Sequence, residues 1–81
     1  MATIFIPAMW RKDFGGLQEV EASGATVGEA VESLSAAYPF LRERLTSSVS
    51  IAVDGEVTPL GLLERIEPAS EIHFIPAIKG G

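Results

Sequence analysis

From residue 3 onward the chain alternates. Ile4 and Ile6 fall on one side of an extended segment and Phe5 on the other, which predicts a strand over residues 3–7 that Pro7 ends or bends. Residues 8–16 carry no sustained period, and Gly15-Gly16 reads as a turn. Alternation returns over residues 17–22, with Leu17, Glu19 and Glu21 opposite Gln18, Val20 and Ala22, so the two segments form an N-terminal hairpin. The period then changes. Val27, Ala30, Val31, Leu34 and Tyr38 recur at helical spacing, leaving Glu29, Glu32, Ser33 and Ser35 mostly on the other face. Thr26-Val27-Gly28-Glu29 fits a capping box, in which the Thr hydroxyl and the Glu carboxylate satisfy orphan backbone donors at the helix start. Pro39 puts the helix end at or near Tyr38, because the residue before a proline is pushed out of the α region. Residues 40–45 are expected to add a short helical turn. Residues 49–53 alternate again, Asp54-Gly55 is a tight-turn signal, and residues 56–58 return as a short strand. Residues 59–66 read as a loop with a brief helical turn. The last strand, residues 71–76, sends Ile72 and Phe74 one way and His73 and Ile75 the other.

The element order is therefore ββαββ with a small break before a final strand. A mixed sheet wrapped over a single helix suits that order, with the first and last strands side by side and parallel at the sheet's centre. This is an α+β chain of the ubiquitin-like β-grasp type. A ferredoxin-like fold would need two full helices, and only one is clear. Residues 1–77 form the domain and residues 78–81 a flexible C-terminal tail ending in Gly80-Gly81.

Composition narrows the function more than the fold. With 81 residues the chain makes one small domain, and 47% hydrophobic content is that of a globular protein. The absence of cysteine removes disulfides, thiolate nucleophiles and Cys-ligated zinc. A formal charge of −5 disfavours nucleic acid as a partner and suits a basic protein surface. No apolar run approaches the roughly 20 residues needed to span a membrane, and the N-terminus lacks the basic region of a signal peptide, so the expected location is cytoplasmic. His73 is the sole histidine and has no cysteine to join it, so it reads as a solvated strand residue and no metal site is expected. The chain presents no convergent acid, base and nucleophile, so a stand-alone enzyme is not expected.

The chemistry is expected at the tail. Four extended residues reach about 13–14 Å, enough to enter a cleft on a partner. Gly80 and Gly81 lack Cβ atoms, so the backbone there can pass a narrow channel. What such an arm delivers is the Gly81 carboxylate. A carboxylate resists nucleophilic attack, but conversion to an acyl-adenylate gives it a good leaving group that a sulfur donor or an amine displaces. The catalytic residues would then sit on an activating enzyme.

Ile75-Pro76-Ala77-Ile78-Lys79-Gly80-Gly81 resembles the closing motif of the MoaD/ThiS sulfur carriers, in which a strand runs into Pro, a small residue, two variable positions and Gly-Gly. Ile6-Pro7, Gly15-Gly16, Ala22-Ser23-Gly24, Thr26-Val27-Gly28, Tyr38 and Glu43-Arg44-Leu45 resemble the branch that supplies sulfur for cysteine synthesis. Two features depart from that branch: the short segment between Leu45 and Val49, and the turn Glu67-Pro68-Ala69-Ser70 in place of a Gly-Asp turn. The resemblance implies adenylation of Gly81 by a ubiquitin-activating-like adenylyltransferase that consumes ATP, with no cofactor bound by the carrier itself. A thiocarboxylate at Gly81 would then donate sulfur to a biosynthetic enzyme. Gly80, Lys79 and Ile78 would thread the partner's cleft. Phe5 and Ile75, on the sheet face opposite the helix, and Leu60 near them, would dock the partner; the alternative packs Phe5 and Ile75 under residues 8–14, with Trp10 covering them. Thiamine or molybdopterin formation are alternatives within the class, although molybdopterin-synthase small subunits more often carry two adjacent prolines where this chain has Pro76-Ala77. A protein modifier joined to lysines through Gly81 and a passive binding domain are the alternatives outside it.

Overall fold

The computed structural model describes residues 1–41, 45 and 49–76. Strand β1 (Ala2–Phe5) pairs antiparallel with β2 (Glu19–Ala22), Ala2 opposite Ala22 and Phe5 opposite Glu19. The strands are shorter than the alternation of residues 3–7 and 17–22 predicts, yet the hairpin continues by one bond, from the Ile6 N–H to the Gln18 carbonyl at 2.8 Å. The connection between them is ordered. Ala8–Phe14 is a 3-10 helix, closed by Gly15 at φ 69° and by a 2.7 Å bond from the Gly16 N–H to the Arg11 carbonyl. A left-handed residue at this position is the usual helix exit, and glycine adopts it without strain. The 3-10 helix turns Trp10 and Phe14 inward, leaving them 5% and 1% exposed.

Helix α1 (Val27–Ser35) starts where its cap requires. Thr26 is extended at φ −135° and its Oγ1 accepts from the Glu29 N–H at 3.2 Å. The Glu29 carboxylate reaches back to the Ala25 N–H, one residue beyond the Thr26 N–H that a capping box uses. The helix ends ahead of Tyr38: the N–H groups of Ala37 and Tyr38 both donate to the Leu34 carbonyl, and Pro39 then offers no donor.

Strands β3 (Val49–Val53) and β4 (Glu56–Val57) close through Asp54 at φ 52° and Gly55 at φ 88°. Two consecutive positive φ values make the type I′ turn whose twist matches a hairpin. The loop after β4 contains the expected brief helical turn, a 3-10 turn at Gly61–Leu63. Strand β5 (Glu71–Pro76) lies between β1, to which it is parallel, and β3, to which it is antiparallel. The sheet order is β2-β1-β5-β3-β4, as the β-grasp reading predicts.

One face of this sheet holds the core. Ile4, Ile6, Ile72 and Phe74 are buried against Val27, Ala30, Val31 and Leu34 of α1, with Trp10 and Phe14 from the 3-10 helix. Phe14 lies 4.7 Å from Tyr38 and 5.0 Å from Phe40, ring centre to ring centre, and Trp10 lies 6.1 Å from Phe74. Trp10 is thus on the helix side of the sheet and does not cover Phe5 and Ile75, so the alternative placement is excluded. Among the described residues no helix is long and apolar enough to cross a membrane.

Candidate functional site

Because strand side chains alternate, the residues between the core positions point to the opposite face. The register lines them up in rows. Glu19, Phe5, His73, Ala52 and Val57 run across all five strands; Glu21, Thr3 and Glu71 form the row on one side of them, and Ile75 with Ser50 the row on the other. Phe5 is half-buried and its ring is stacked on the imidazole of His73, with centroids 4.4 Å apart and planes 2° from parallel. Ile75 is 46% exposed and Val57 62%. The alternation in the sequence therefore puts Phe5 and Ile75 where it predicts, on one open face. His73 is not simply solvated: its ring lies parallel to that of Phe5 and stacks on it. A lone histidine in an alternating strand gives no signal of that partner until the parallel register of β1 and β5 is known.

Leu60 is exposed at 56% on the loop that leads from β4 into the 3-10 turn Gly61–Leu63. That turn packs against α1 and β3, with Leu62 over Gly28, where an added Cβ would stand 3.0 Å from the Leu62 carbonyl oxygen. The Thr58 hydroxyl donates to the Glu64 carboxylate in the same segment. Ile78, Lys79, Gly80 and Gly81 lie outside the described residues. Strand β5 ends at Pro76, so the structure places the strand that leads toward them at the sheet's centre, beside β1. Among the described residues no group of three His, Cys, Asp or Glu side chains could hold a metal ion.

A mixed sheet with its first and last strands parallel at the centre and a helix over one face defines a ubiquitin-like β-grasp protein. The profile of the ThiS family matches residues 7–81, and the chain belongs to that family. Sulfur carrier protein CysO of Mycobacterium tuberculosis is 32% identical over 90 aligned positions, covering 98% of this chain and 97% of that protein. Its crystal structure superposes with a TM-score of 0.85 at 30% identity, over 96% of this chain and 100% of that one. A chain in the crystal structure of the Amycolatopsis orientalis BexX/CysO complex gives a TM-score of 0.89 at 27% identity, with both chains covered completely. The small archaeal modifier protein 1 of Methanosarcina acetivorans shares the fold, with a TM-score of 0.80 at 23% identity over 99% of this chain and 95% of that one.

Proposed function

We propose that this protein is a sulfur carrier whose reacting group is the Gly81 carboxylate. The observation that carries the reading is the placement of β5: the central strand of a ThiS-family domain leads into Pro76-Ala77-Ile78-Lys79-Gly80-Gly81, and the family match runs through residue 81. In this scheme the Gly81 carboxylate oxygen attacks the α-phosphate of ATP on a ubiquitin-activating-like adenylyltransferase, releasing pyrophosphate. A sulfide equivalent attacks the acyl carbon and displaces AMP, which leaves a thiocarboxylate. The thiocarboxylate sulfur then attacks an electrophile held by a second, biosynthetic enzyme. Hydrolysis of the resulting thioester leaves sulfur on the acceptor and restores the Gly81 carboxylate. Two moderate steps replace one that a free carboxylate would not undergo. The likeness to CysO proteins favours cysteine, or another sulfur-containing metabolite, as the product.

The carrier supplies recognition in this cycle. Gly80 lets the arm pass a narrow channel, Ile78 and Lys79 give the channel an apolar and a cationic contact, and the face bearing Phe5 and Ile75 docks the domain, with Leu60 contributing from the neighbouring loop. The CysO chain in the BexX/CysO complex is an instance of such a chain bound to another protein.

The test is the mass of the intact protein after incubation with its host's activating enzyme, ATP and a sulfide source. Sulfur for oxygen nearly matches one methionine oxidation in nominal mass, and Met1 and Met9 are both exposed, so fragmentation must localise the change. Sulfur at Gly81, absent after Gly81 is deleted, is the expected result. Conjugates of higher mass in cell extract would indicate a protein modifier instead. No change at Gly81, with an enzyme competent on another carrier, would leave a passive binding domain.

A further inference from the structure

The open sheet face has a polarity. Strands β1 and β5 run parallel, so both begin at the same end of the sheet. At that end the face shows Glu21, Thr3 and Glu71 in one row, and Glu19 stands beside Phe5 in the next. At the end where β5 finishes the face shows Ile75 opposite Ser50, and exposed Val57 on β4 lies in the same row as Phe5, at the edge away from Glu19. Glu71 and Ile75, the two ends of this face on β5, are four residues apart, which is about 13 Å. Among the described residues, no strand position on this face carries lysine or arginine.

Carboxylates gathered on adjacent strands repel one another when no cation stands between them. Glu19, Glu21 and Glu71 are all exposed, and none forms an ion pair among the described residues. Their charge is gathered beside the stacked pair of Phe5 and His73. A matching surface would be apolar at one end and cationic at the other.

We infer that this face selects a protein partner carrying an apolar patch at the mouth of its cleft and a lysine- or arginine-rich patch about 13 Å behind it, the basic patch meeting Glu21 and Glu71, with Glu19 on its near side beside Phe5. The inference rests on the carrier reading, and it specifies the chemistry of the activating partner's docking surface. Apolar contact at Ile75 and Phe5 places the domain against the cleft, and the charges at the far end fix which way round it sits. With the domain so oriented, β5 points its C-terminal end at the cleft. Complementary charge also raises the rate of encounter, and salt weakens that effect.

The experiment measures ATP–pyrophosphate exchange by the host's activating enzyme at increasing salt. It compares the full wild-type chain with E19Q/E21Q and with E56Q/E67Q. Both variants remove two negative charges, but Glu56 and Glu67 lie off this face: Glu56 pairs with Val53, on the other side of the sheet from Ala52, and Glu67 is in the turn before β5. E19Q/E21Q is expected to raise the KM for the carrier about three- to tenfold at low salt and to flatten its salt dependence, with kcat unchanged. E56Q/E67Q is expected to change KM by less than about twofold. Equal effects of the two variants would reduce the face to bulk charge and overturn the inference while leaving the carrier reading intact, since Gly81 would still be activated. A wild-type chain that is not activated at all, by an enzyme competent on another carrier, overturns both. A concentration-dependent dimer that E19Q/E21Q strengthens would assign the face to a second copy of the chain and overturn the inference alone.

Discussion

Gly24 carries a constraint that its neighbours in the sequence do not advertise. Its φ of +154° lies in a region open essentially to glycine, and an added Cβ would stand 2.6 Å from the Glu29 Cβ and 2.8 Å from the Ala30 backbone nitrogen. The atoms that would have to move belong to the first turn of α1. Gly24→Ala is therefore expected to destabilise the fold by about 2–3 kcal/mol, read as a lower urea midpoint at unchanged slope; an unchanged midpoint would mean that the residue 23–25 segment can shift. Ser35 points the other way. Its residue is 9% exposed and its Oγ has no hydrogen-bond partner among the described residues. A buried hydroxyl without a partner costs free energy, and alanine is the better helix former, so Ser35→Ala should stabilise by about 1 kcal/mol. For a domain of this size that is a rise in Tm of about 4–8 °C; a fall would reveal a partner for the hydroxyl. Neither feature was legible beforehand. A glycine at residue 24 is visible in the sequence, but the backbone that approaches it belongs to a helix whose position depends on the whole fold. Trp10 and Phe14 were hidden for a related reason, since a 3-10 helix of seven residues shows no 3.6-residue period.

At the level of elements the sequence was more informative where local rules and tertiary context agree. Strand β5 has the bounds that its alternation predicts, the Asp54-Gly55 turn is of the type its residues demand, and α1 begins at its cap. The strands of the first hairpin are shorter than their pattern because alternation marks which way side chains point and not where pairing stops. The two faces of β1 were likewise readable, and they give an element-scale test. Ile4 is fully buried at the sheet centre, whereas Phe5, one residue on, stands on the open face stacked on His73. A carboxylate at residue 4 would sit in the core without a partner, so Ile4→Asp should leave no folded protein at 25 °C, at a cost of several kcal/mol. Phe5→Asp forfeits the stack, worth about 1 kcal/mol, and should keep the native NMR spectrum while raising the KM for activation. Loss of the fold in Phe5→Asp would move that side chain from docking surface to core. Leu60 was less legible, because a loop residue has no face until the loop is placed.

Over the whole molecule, folding and function divide along the chain. Among the described residues the buried cluster spans Ala2 to Phe74, and Gly80 and Gly81 have no apolar side chain to add to it. Deleting Gly80 and Gly81 should therefore change the unfolding free energy by less than about 0.5 kcal/mol, measured by thermal or urea unfolding. The same deletion should abolish activation, because the terminal carboxylate it leaves, that of Lys79, reaches two residues less far and has a side chain where the wild-type terminus has glycine. The two readouts separate the explanations that a single one would confuse. A passive binding domain would keep both its stability and its partner affinity, so an unimpaired interaction would remove Gly81 from the mechanism. A large loss of stability would mean that the final residues pack on the domain, and the carrier would then need a step that releases them before Gly81 could enter a partner's cleft. Intact stability with lost activation is the result that a preformed domain carrying a reactive terminus requires.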